Sequence, residues 1–131
     1  MVKPFSAIQL LAGVLQHLQR DASGEIIWGV ITQELLRRTH SRLEEDEGII
    51  TQYAFTRGTK VAVLFKEVSA SEVKMSFRSR GALDVGQFAH YISPGQGGGH
   101  QRAAGCTLQG TLPEVQERVI AALQEELQHQ R

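Results

Sequence analysis

The sequence predicts an α+β domain in which a mixed sheet of about four to five strands is flanked by helices. Apolar residues alternate with a period of two along residues 60–68 and 72–79, which is typical of half-buried strands. Apolar residues recur every three or four positions along residues 6–19 and near the carboxyl terminus, which is typical of amphipathic helices. A chain of 131 residues fits one such domain.

The first predicted elements are a helix and a buried strand. The helix covers residues 6–19, with Ser6 as its N-cap and Gln9 completing a capping box. The turn-forming residues 21–24 end it. Residues 25–31 are rich in β-branched and aromatic side chains, so we expect them to form the first strand of the sheet.

The middle of the chain is expected to form two helices and an antiparallel hairpin. A short helix begins at Thr32, and a second helix runs from about Glu44 to Phe55 with acidic residues at its start. The two strands of the hairpin, residues 60–68 and 72–79, each place one face in the core.

The last third of the chain contains two more helices and a strand. Asp84 is expected to cap a helix that continues to about Tyr91. Residues 106–109 have the pattern of a strand. The terminal helix begins with Thr111 as its cap and Glu114 as the partner in a capping box.

Composition limits the function classes that are open to this chain. Lysine plus arginine and aspartate plus glutamate both number 14, so the basic excess of a duplex-coating protein is absent. No apolar run reaches the roughly 18 residues of a membrane span. Cys106, the single cysteine, cannot form an intrachain disulfide. We therefore expect a cytoplasmic protein without a membrane partner, in which any nucleic-acid contact is confined to a few phosphates.

Three glycines followed by a histidine are the strongest local signal: Gly97, Gly98, Gly99 and His100. We expect an irregular loop whose backbone reaches positive φ and approaches a ligand closely. Successive amide groups in such a turn bind an anion, and a helical turn beginning near His100 would add its free N–H groups. The imidazole of His100 would donate to the same anion. The alternative is a flexible surface loop without a ligand.

Arginines at the end of the second hairpin strand are the other candidates for phosphate binding. In Arg78-Ser79-Arg80 we expect one arginine to point to each face of the sheet, because side chains alternate along a strand. The arginine on the face of the glycine segment would offer a guanidinium that matches a phosphate. Arg57 and Arg102 are weaker candidates for the same basic rim. The alternative is that these arginines are solvated or paired with carboxylates.

No pattern assigns a catalytic residue or a metal ligand. The histidines other than His100 lack the spacing of metal ligands, and the acidic residues 44–47 are expected to be a solvated helix start. A Gly-x-Ser-x-Gly motif is absent from the sequence. Trp28, Phe65 and Phe77 lie inside strand patterns, so we expect them in the core rather than against a base.

Three segments resemble the DHHA1 domain, which is the C-terminal half of DHH-family phosphoesterases. They are residues 75–80 (MSFRSR), 83–85 (LDV) and 97–106 (GGGHQRAAGC). The resemblance is strongest to the nanoRNase/pAp phosphatases, which degrade very short RNA and dephosphorylate 3′-phosphoadenosine 5′-phosphate (pAp). It divides the chain into residues 1–20, the helix and linker that follow a catalytic domain, and residues 21–131, the DHHA1 substrate-binding domain.

The resemblance implies that this chain binds substrate without performing the chemistry. In the family, an N-terminal DHH domain holds two manganese ions through aspartates and an Asp-His-His motif. This sequence has no Asp-His-His motif, so the chain alone is expected to hold no cofactor and to be inactive. The implied partners are that DHH domain and a nucleotide or short single-stranded RNA or DNA, gripped by Arg78 and residues 98–100. Residues 93–96 lengthen the connection that precedes the glycines.

Other functions remain open at this point. DHHA1 domains also occur in single-strand-specific 5′ exonucleases and cyclic-dinucleotide phosphodiesterases. A related domain ends alanyl-tRNA synthetases, which makes a non-catalytic RNA-binding module a further alternative. A zero net charge counts against tRNA binding. The last alternative is an assembly domain, in which the glycine segment only packs against a partner.

Overall fold

The computed structural model describes residues 2–131, and it confirms the α+β class. These residues form five α-helices: α1 (Phe5–Gln16), α2 (Gln33–Thr39), α3 (Thr51–Ala54), α4 (Val85–Ile92) and α5 (Leu112–His129). They also form six strands: β1 (Gln19–Arg20), β2 (Ile26–Ile31), β3 (Val61–Ser69), β4 (Glu72–Ser79), β5 (Gly97–Gly99) and β6 (Ala103–Gln109). A 3₁₀ helix, Leu43–Asp46, lies between α2 and α3.

All six strands belong to one mixed sheet with the order β1-β2-β3-β4-β6-β5. Strands β2 and β3 are parallel, and every other neighbouring pair is antiparallel. The sheet has one strand more than the upper end of the prediction. The two short edge strands, β1 and β5, had no strand pattern in the sequence because two or three residues cannot display an alternation.

One face of the sheet carries the larger core. Helices α4 and α5 pack there against β3, β4 and β6. Phe65 and Phe77 are completely buried, which confirms that they are core residues. The ring of Phe77 meets that of Phe88 edge to face, with centroids 5.6 Å apart. Packing in this core fixes α4 against β4 and β6. It thereby positions the segment between α4 and β6, which contains the glycines.

Helices α1, α2 and α3 cover only part of the opposite face. Their buried side chains pack on β2 and β3, where Leu10, Val14 and Leu64 lie at the centre of a second core. Within residues 2–131, no helix covers the continuation of this face over β4, β6 and β5. We call this area the open face, and its residues are Ser76, Arg78, Gly98, Ala103, Gly105 and Thr107.

Three helix predictions for the first half of the chain are wrong. Helix α1 ends at Gln16 rather than at residue 19, because residues 19–20 pair with β2 as strand β1. Ser6 does not cap α1, because Pro4 holds the N-cap position and the Ser6 hydroxyl donates to the Glu45 carboxylate instead. The helix predicted from Glu44 to Phe55 is divided into the 3₁₀ helix and the four-residue α3. Gly48 lies between them with φ of 81°, a value that does not belong to a helix.

The predicted caps in the second half are confirmed. The Asp84 carboxylate accepts a hydrogen bond from the Gln87 amide at 3.0 Å, which begins α4. Thr111 and Glu114 form the capping box of α5. Of the predicted segment 1–20, Met1 lies outside the described residues, and α1 packs into the second core. Among residues 2–131, no helix has the length and apolar character that crossing a membrane requires.

Candidate anion-binding groove and glycine edge

The three glycines form an edge strand rather than an irregular loop. A Cβ on Gly97 would overlap the carbonyl oxygen of Ala89 in α4. A Cβ on Gly99 would lie 2.7 Å from the Cα of Ala104 in β6, and its φ of 141° disfavours any side chain. Glycine is therefore needed here so that β5 fits between α4 and β6. The expected helical turn near His100 is also wrong, since Gln101 and Arg102 form a bend that leads into β6.

The hydrogen-bond pattern leaves two amide groups of β5 free. His100 donates its amide to the Ala103 carbonyl at 2.8 Å, and the Gln96 carbonyl accepts from the Thr107 amide at 3.2 Å. Because antiparallel pairing alternates, Gly98 faces β6 and the amides of Gly97 and Gly99 point out of the sheet edge. Within the described chain, neither amide has a backbone partner. The predicted anion site, in which successive amide groups of a turn converge, is thus replaced by the exposed edge of a strand.

The lengthened connection before the glycines is anchored to β6. The Ser93 hydroxyl donates to the Thr107 carbonyl at 2.6 Å, and Ser93 is buried. The Gln96 amide closes the turn on the Ser93 carbonyl at 3.0 Å. These bonds give residues 93–96 one defined path from α4 into β5. The imidazole of His100 is exposed at the other end of this strand.

Three of the predicted arginines line one groove. Arg78, Arg80 and Arg102 surround a cavity of about 480 Å³ at the end of β4 and the start of β6. The other residues of its wall are Thr51, Ala54, Phe55, Ser79 and Ala103. We call this cavity the arginine groove. It adjoins the open face through Arg78 and Ala103.

The expectation that Arg78 and Arg80 point to opposite faces is wrong. They are two residues apart, and side chains alternate with a period of two, so they lie on the same side of the strand. Ser79 between them is the residue that points the other way. Its side chain is buried, and its hydroxyl donates to the Gly81 carbonyl at 3.4 Å. Ser79 therefore contributes its backbone to the groove wall.

Each groove arginine is fixed by a backbone carbonyl. The Nη1 atom of Arg78 donates to Phe77 at 2.9 Å, that of Arg80 to Thr56 at 3.1 Å, and that of Arg102 to Gly81 at 2.8 Å. Among residues 2–131, no carboxylate forms an ion pair with any of the three. Each side chain is therefore held by one hydrogen bond, and within the described chain no carboxylate competes with an anion for its positive charge.

The other predicted basic residue does not reach the groove. Arg57 is exposed on the loop after α3, and it is not part of the groove wall. A lysine that the sequence did not indicate lies on the same face of the sheet. Lys66 donates to the Asp46 carboxylate at 2.9 Å and to the Ser76 hydroxyl at 3.0 Å. Its charge is thus neutralised locally, unlike those of the groove arginines.

Phe55 is the groove residue that the sequence did not identify. The helix predicted from about Glu44 ended at Phe55, which was given no role. Instead it follows the four-residue α3, and 73% of it is exposed. The guanidinium carbon of Arg80 lies 5.6 Å from the centroid of its ring.

Two ionisable side chains near the site, Cys106 and Tyr53, are buried and belong to the packing of the domain rather than to its chemistry. Burial raises the pKa of the Cys106 thiol to about 11, so this thiol stays protonated and is a poor nucleophile at neutral pH. Burial also raises the pKa of Tyr53, whose hydroxyl donates to the Val63 carbonyl at 2.7 Å. Within the described residues, no three histidine, cysteine, aspartate or glutamate side chains cluster closely enough to hold a metal ion. The described residues around the site thus offer hydrogen-bond donors to an anion.

This fold is shared with solved structures of larger proteins. An exopolyphosphatase-related protein from Bacteroides fragilis superimposes with a TM-score of 0.84 at 21% identity over 95% of this chain and 36% of that one. The pGpG-specific phosphodiesterase PggH from Vibrio superimposes with a TM-score of 0.59 at 14% identity over 95% of this chain and 39% of that one. These likenesses define the class: an α+β domain found as part of larger chains.

The sequence comparisons define the family. Residues 19–129 match the DHHA1 domain, and the chain belongs to the DHHA1 domain family, as its motifs indicated. The chain is also 35% identical over 115 residues to the bifunctional oligoribonuclease and PAP phosphatase NrnA of Thermus thermophilus. That match covers 87% of this chain and spans 29% of the length of the relative.

Proposed function

We propose that this chain is the substrate-binding domain of a DHH-family phosphoesterase that acts on very short RNA and on pAp. The observation that carries the proposal is the arginine groove, because three arginines line it that have no carboxylate partner among the described residues. The 35% identity to a Thermus protein named for both activities supports this substrate class. Guanidinium groups bind phosphate through several N–H donors at once, which suits a polyanionic ligand.

The groove arginines would bind the phosphates of the substrate. Each arginine spends one terminal nitrogen on a backbone carbonyl and keeps its remaining N–H groups for a ligand. Arg78 lies in β4 and pairs with Ala103, and Arg102 directly precedes Ala103 in the bend before β6, so both arginines reach the groove from adjacent positions. This arrangement fixes the position of a phosphate before the reaction, which is how a binding domain contributes to catalysis.

The glycine edge would bind a terminal phosphate group of the same substrate. The outward amides of Gly97 and Gly99 supply two neutral donors, and the exposed imidazole of His100 supplies a third. Strand β5 is separated from β4 only by β6. The edge and the groove therefore lie within reach of one small nucleotide.

Hydrolysis itself would take place in a DHH domain that precedes this one. That domain would supply the manganese chemistry, in which the metal activates water and stabilises the leaving oxygen. Helix α1 offers a surface for such a partner, since Phe5, Ile8 and Leu15 are exposed on its outer side. This chain would bind and orient the substrate. Because the binding site is shared between two domains, we expect a Kd of tens of micromolar or weaker, roughly −6 kcal/mol.

An NMR titration without metal tests this function. The chain is titrated with pAp and with a short RNA, and backbone amide shifts are followed at residues 97–100 and at Arg78. We expect saturable shifts there, which His100→Ala weakens. The matched control is His129→Ala, because His129 is an exposed histidine at the end of α5 and should leave binding unchanged.

The comparison with cyclic and linear dinucleotides separates related substrate classes. If the chain binds pGpG more tightly than pAp and short RNA, the substrate domain of a cyclic-dinucleotide phosphodiesterase becomes the better assignment. Unchanged spectra at millimolar ligand would contradict a phosphate site in this chain. In that case an assembly role for the glycine edge becomes the better explanation.

A further inference from the structure

Phe55 has the position and surroundings of a base-binding residue. We propose that its ring stacks on a base of the ligand, and that the arginine groove thereby selects nucleotides over other phosphorylated molecules. This inference rests on the proposed function, and it adds a specificity-determining residue to it. The ligand class is a nucleotide or short oligonucleotide with at least one unpaired base.

The backbone around Phe55 is anchored, so the position from which the exposed ring projects is fixed. Tyr53 is buried and donates its hydroxyl to the Val63 carbonyl of β3 at 2.7 Å. Ala54 is buried as well, and the Thr56 hydroxyl donates to the Tyr53 carbonyl at 2.7 Å. With its neighbours fixed on both sides, Phe55 does not lose much conformational freedom when a base binds.

Arg80 covers part of the Phe55 ring and leaves the rest accessible. The guanidinium carbon is 5.6 Å from the ring centroid, a distance within the range of a cation–π contact. The Nη1 atom of this guanidinium donates a hydrogen bond to the Thr56 carbonyl at 3.1 Å. Because 73% of Phe55 remains exposed, the ring still has a surface on which a base can stack. Aromatic rings that present such a surface bind the bases of single strands without sequence preference.

The charge around the ring favours a nucleotide over a protein partner. An apolar side chain of a partner would bury Phe55 but would also desolvate three arginines without giving them an anion. A nucleotide offers a flat base to Phe55 and phosphates to Arg78 and Arg102 at the same time. The other wall residues are small or neutral, and none carries a negative charge.

The dimensions of the site agree with a ligand that has a base at one end and a phosphate at the other. Phe55 and Arg80 lie at the β4 side of the groove, and His100 lies beyond β6 at the end of β5. Neighbouring strands are about 4.8 Å apart, so the backbones of β4 and β5 are separated by roughly 10 Å. A phosphate alone cannot contact both ends.

The experiment compares two ligands with equal charge on matched variants. One ligand is the dinucleotide pApA, and the other is its abasic counterpart with the same riboses and phosphates. Affinities of the wild-type chain, Phe55→Ala and Phe55→Trp are measured by calorimetric titration at one salt concentration. We expect Phe55→Ala to weaken pApA binding by about 5- to 150-fold and to leave the abasic ligand unaffected. Phe55→Trp should retain pApA binding because it preserves the aromatic surface.

Each other outcome overturns the inference in a recognisable way. If Phe55→Ala weakens both ligands equally, the ring acts only by positioning Arg80. If it affects neither ligand while the wild-type chain binds both, Phe55 belongs to a protein interface and the arginine groove alone binds phosphate. If the wild-type chain binds neither ligand, the proposed function itself fails together with the stacking residue. Amide spectra of each variant establish that the fold is intact.

Discussion

Gly97 of β5 lies directly against the Ala89 carbonyl of α4, and no side chain fits between them. The contact joins the strand edge that carries the free amides to the helix that precedes it. Replacing Gly97 forces either β5 or α4 to move. Gly97 and Gly99 are thus explained by packing, whereas a Cβ on Gly98 would meet nothing within 4 Å, and the exposed amides are a consequence of the strand position.

Gly97→Ala is predicted to destabilise the domain. A Cβ that meets a backbone carbonyl cannot be accommodated by a rotamer change, so the cost should reach the upper part of the 1–3 kcal/mol that is typical of overpacking. Urea unfolding monitored by circular dichroism measures it. Gly81→Ala is the matched control, because a Cβ there meets the Lys60 side chain at an ordinary 3.6 Å. Equal stability of the two variants would contradict the packing explanation.

Tyr53→Phe is predicted to cost about 1 kcal/mol of unfolding free energy, which is the usual net value of a buried hydrogen bond. The lost bond is the one from its hydroxyl to the Val63 carbonyl. Tyr91→Phe makes the same chemical change at an exposed position and should leave stability unchanged. Denaturant midpoints of the two variants provide the comparison. A similar midpoint for both would mean that the Tyr53 hydroxyl contributes nothing to stability.

Cys106 is predicted to make the fold sensitive to alkaline pH. Its pKa is raised from an ordinary 9.0 to about 11 in the folded chain, so between these values the unfolded chain has lost a proton that the folded chain keeps. The unfolded state then binds fewer protons, and stability falls as pH rises through this window. Denaturant midpoints measured from pH 8 to 11 test this.

The control is Cys106→Ala, which should lose that part of the pH dependence. In the wild-type chain the thiol should also react slowly with a disulfide reagent at neutral pH, because it is buried and protonated. Fast labelling of the folded chain would contradict both expectations.

Arg102→Ala is predicted to lower the salt dependence of RNA binding. Each phosphate contact to a single strand contributes a slope of roughly 0.7 to the plot of log affinity against log salt. The variant should lose about one such contact. Arg57→Ala removes the same charge outside the groove and should leave the slope unchanged. Identical slopes for both variants would mean that charge alone, without groove geometry, governs binding.

The strands and helices with strong patterns were predictable from the sequence. The β3–β4 hairpin follows from alternating apolar residues, and α5 follows from its capping box and apolar stripe. Strand β5 was not predictable, because glycines have no side chains whose alternation would reveal a strand. Its conformation is imposed by packing against α4 and pairing with β6. Neither contact leaves a recognisable pattern in the three glycines themselves.

The arginine groove could be predicted only in part. Arg78 and Arg80 were identified by their residue type, while the assignment to opposite faces failed because the period of two was misapplied. Phe55 was missed because Gly48 interrupts the predicted helix, and the shorter α3 turns the ring outwards. The site as a whole joins β4, β6 and the segment after α3, and no local pattern encodes such an assembly.

The two edges of the sheet are its shortest strands. Strand β1 has two residues and β5 has three. A neighbouring chain that tried to extend the sheet at either end would gain only a few hydrogen bonds, too few to offset the entropy of association. Edge-to-edge polymerisation is thereby disfavoured by the shortness of both edge strands, and Arg20 also places an exposed charge on β1. Any stable assembly of this domain would have to be built from helices or side chains rather than from continuation of the sheet.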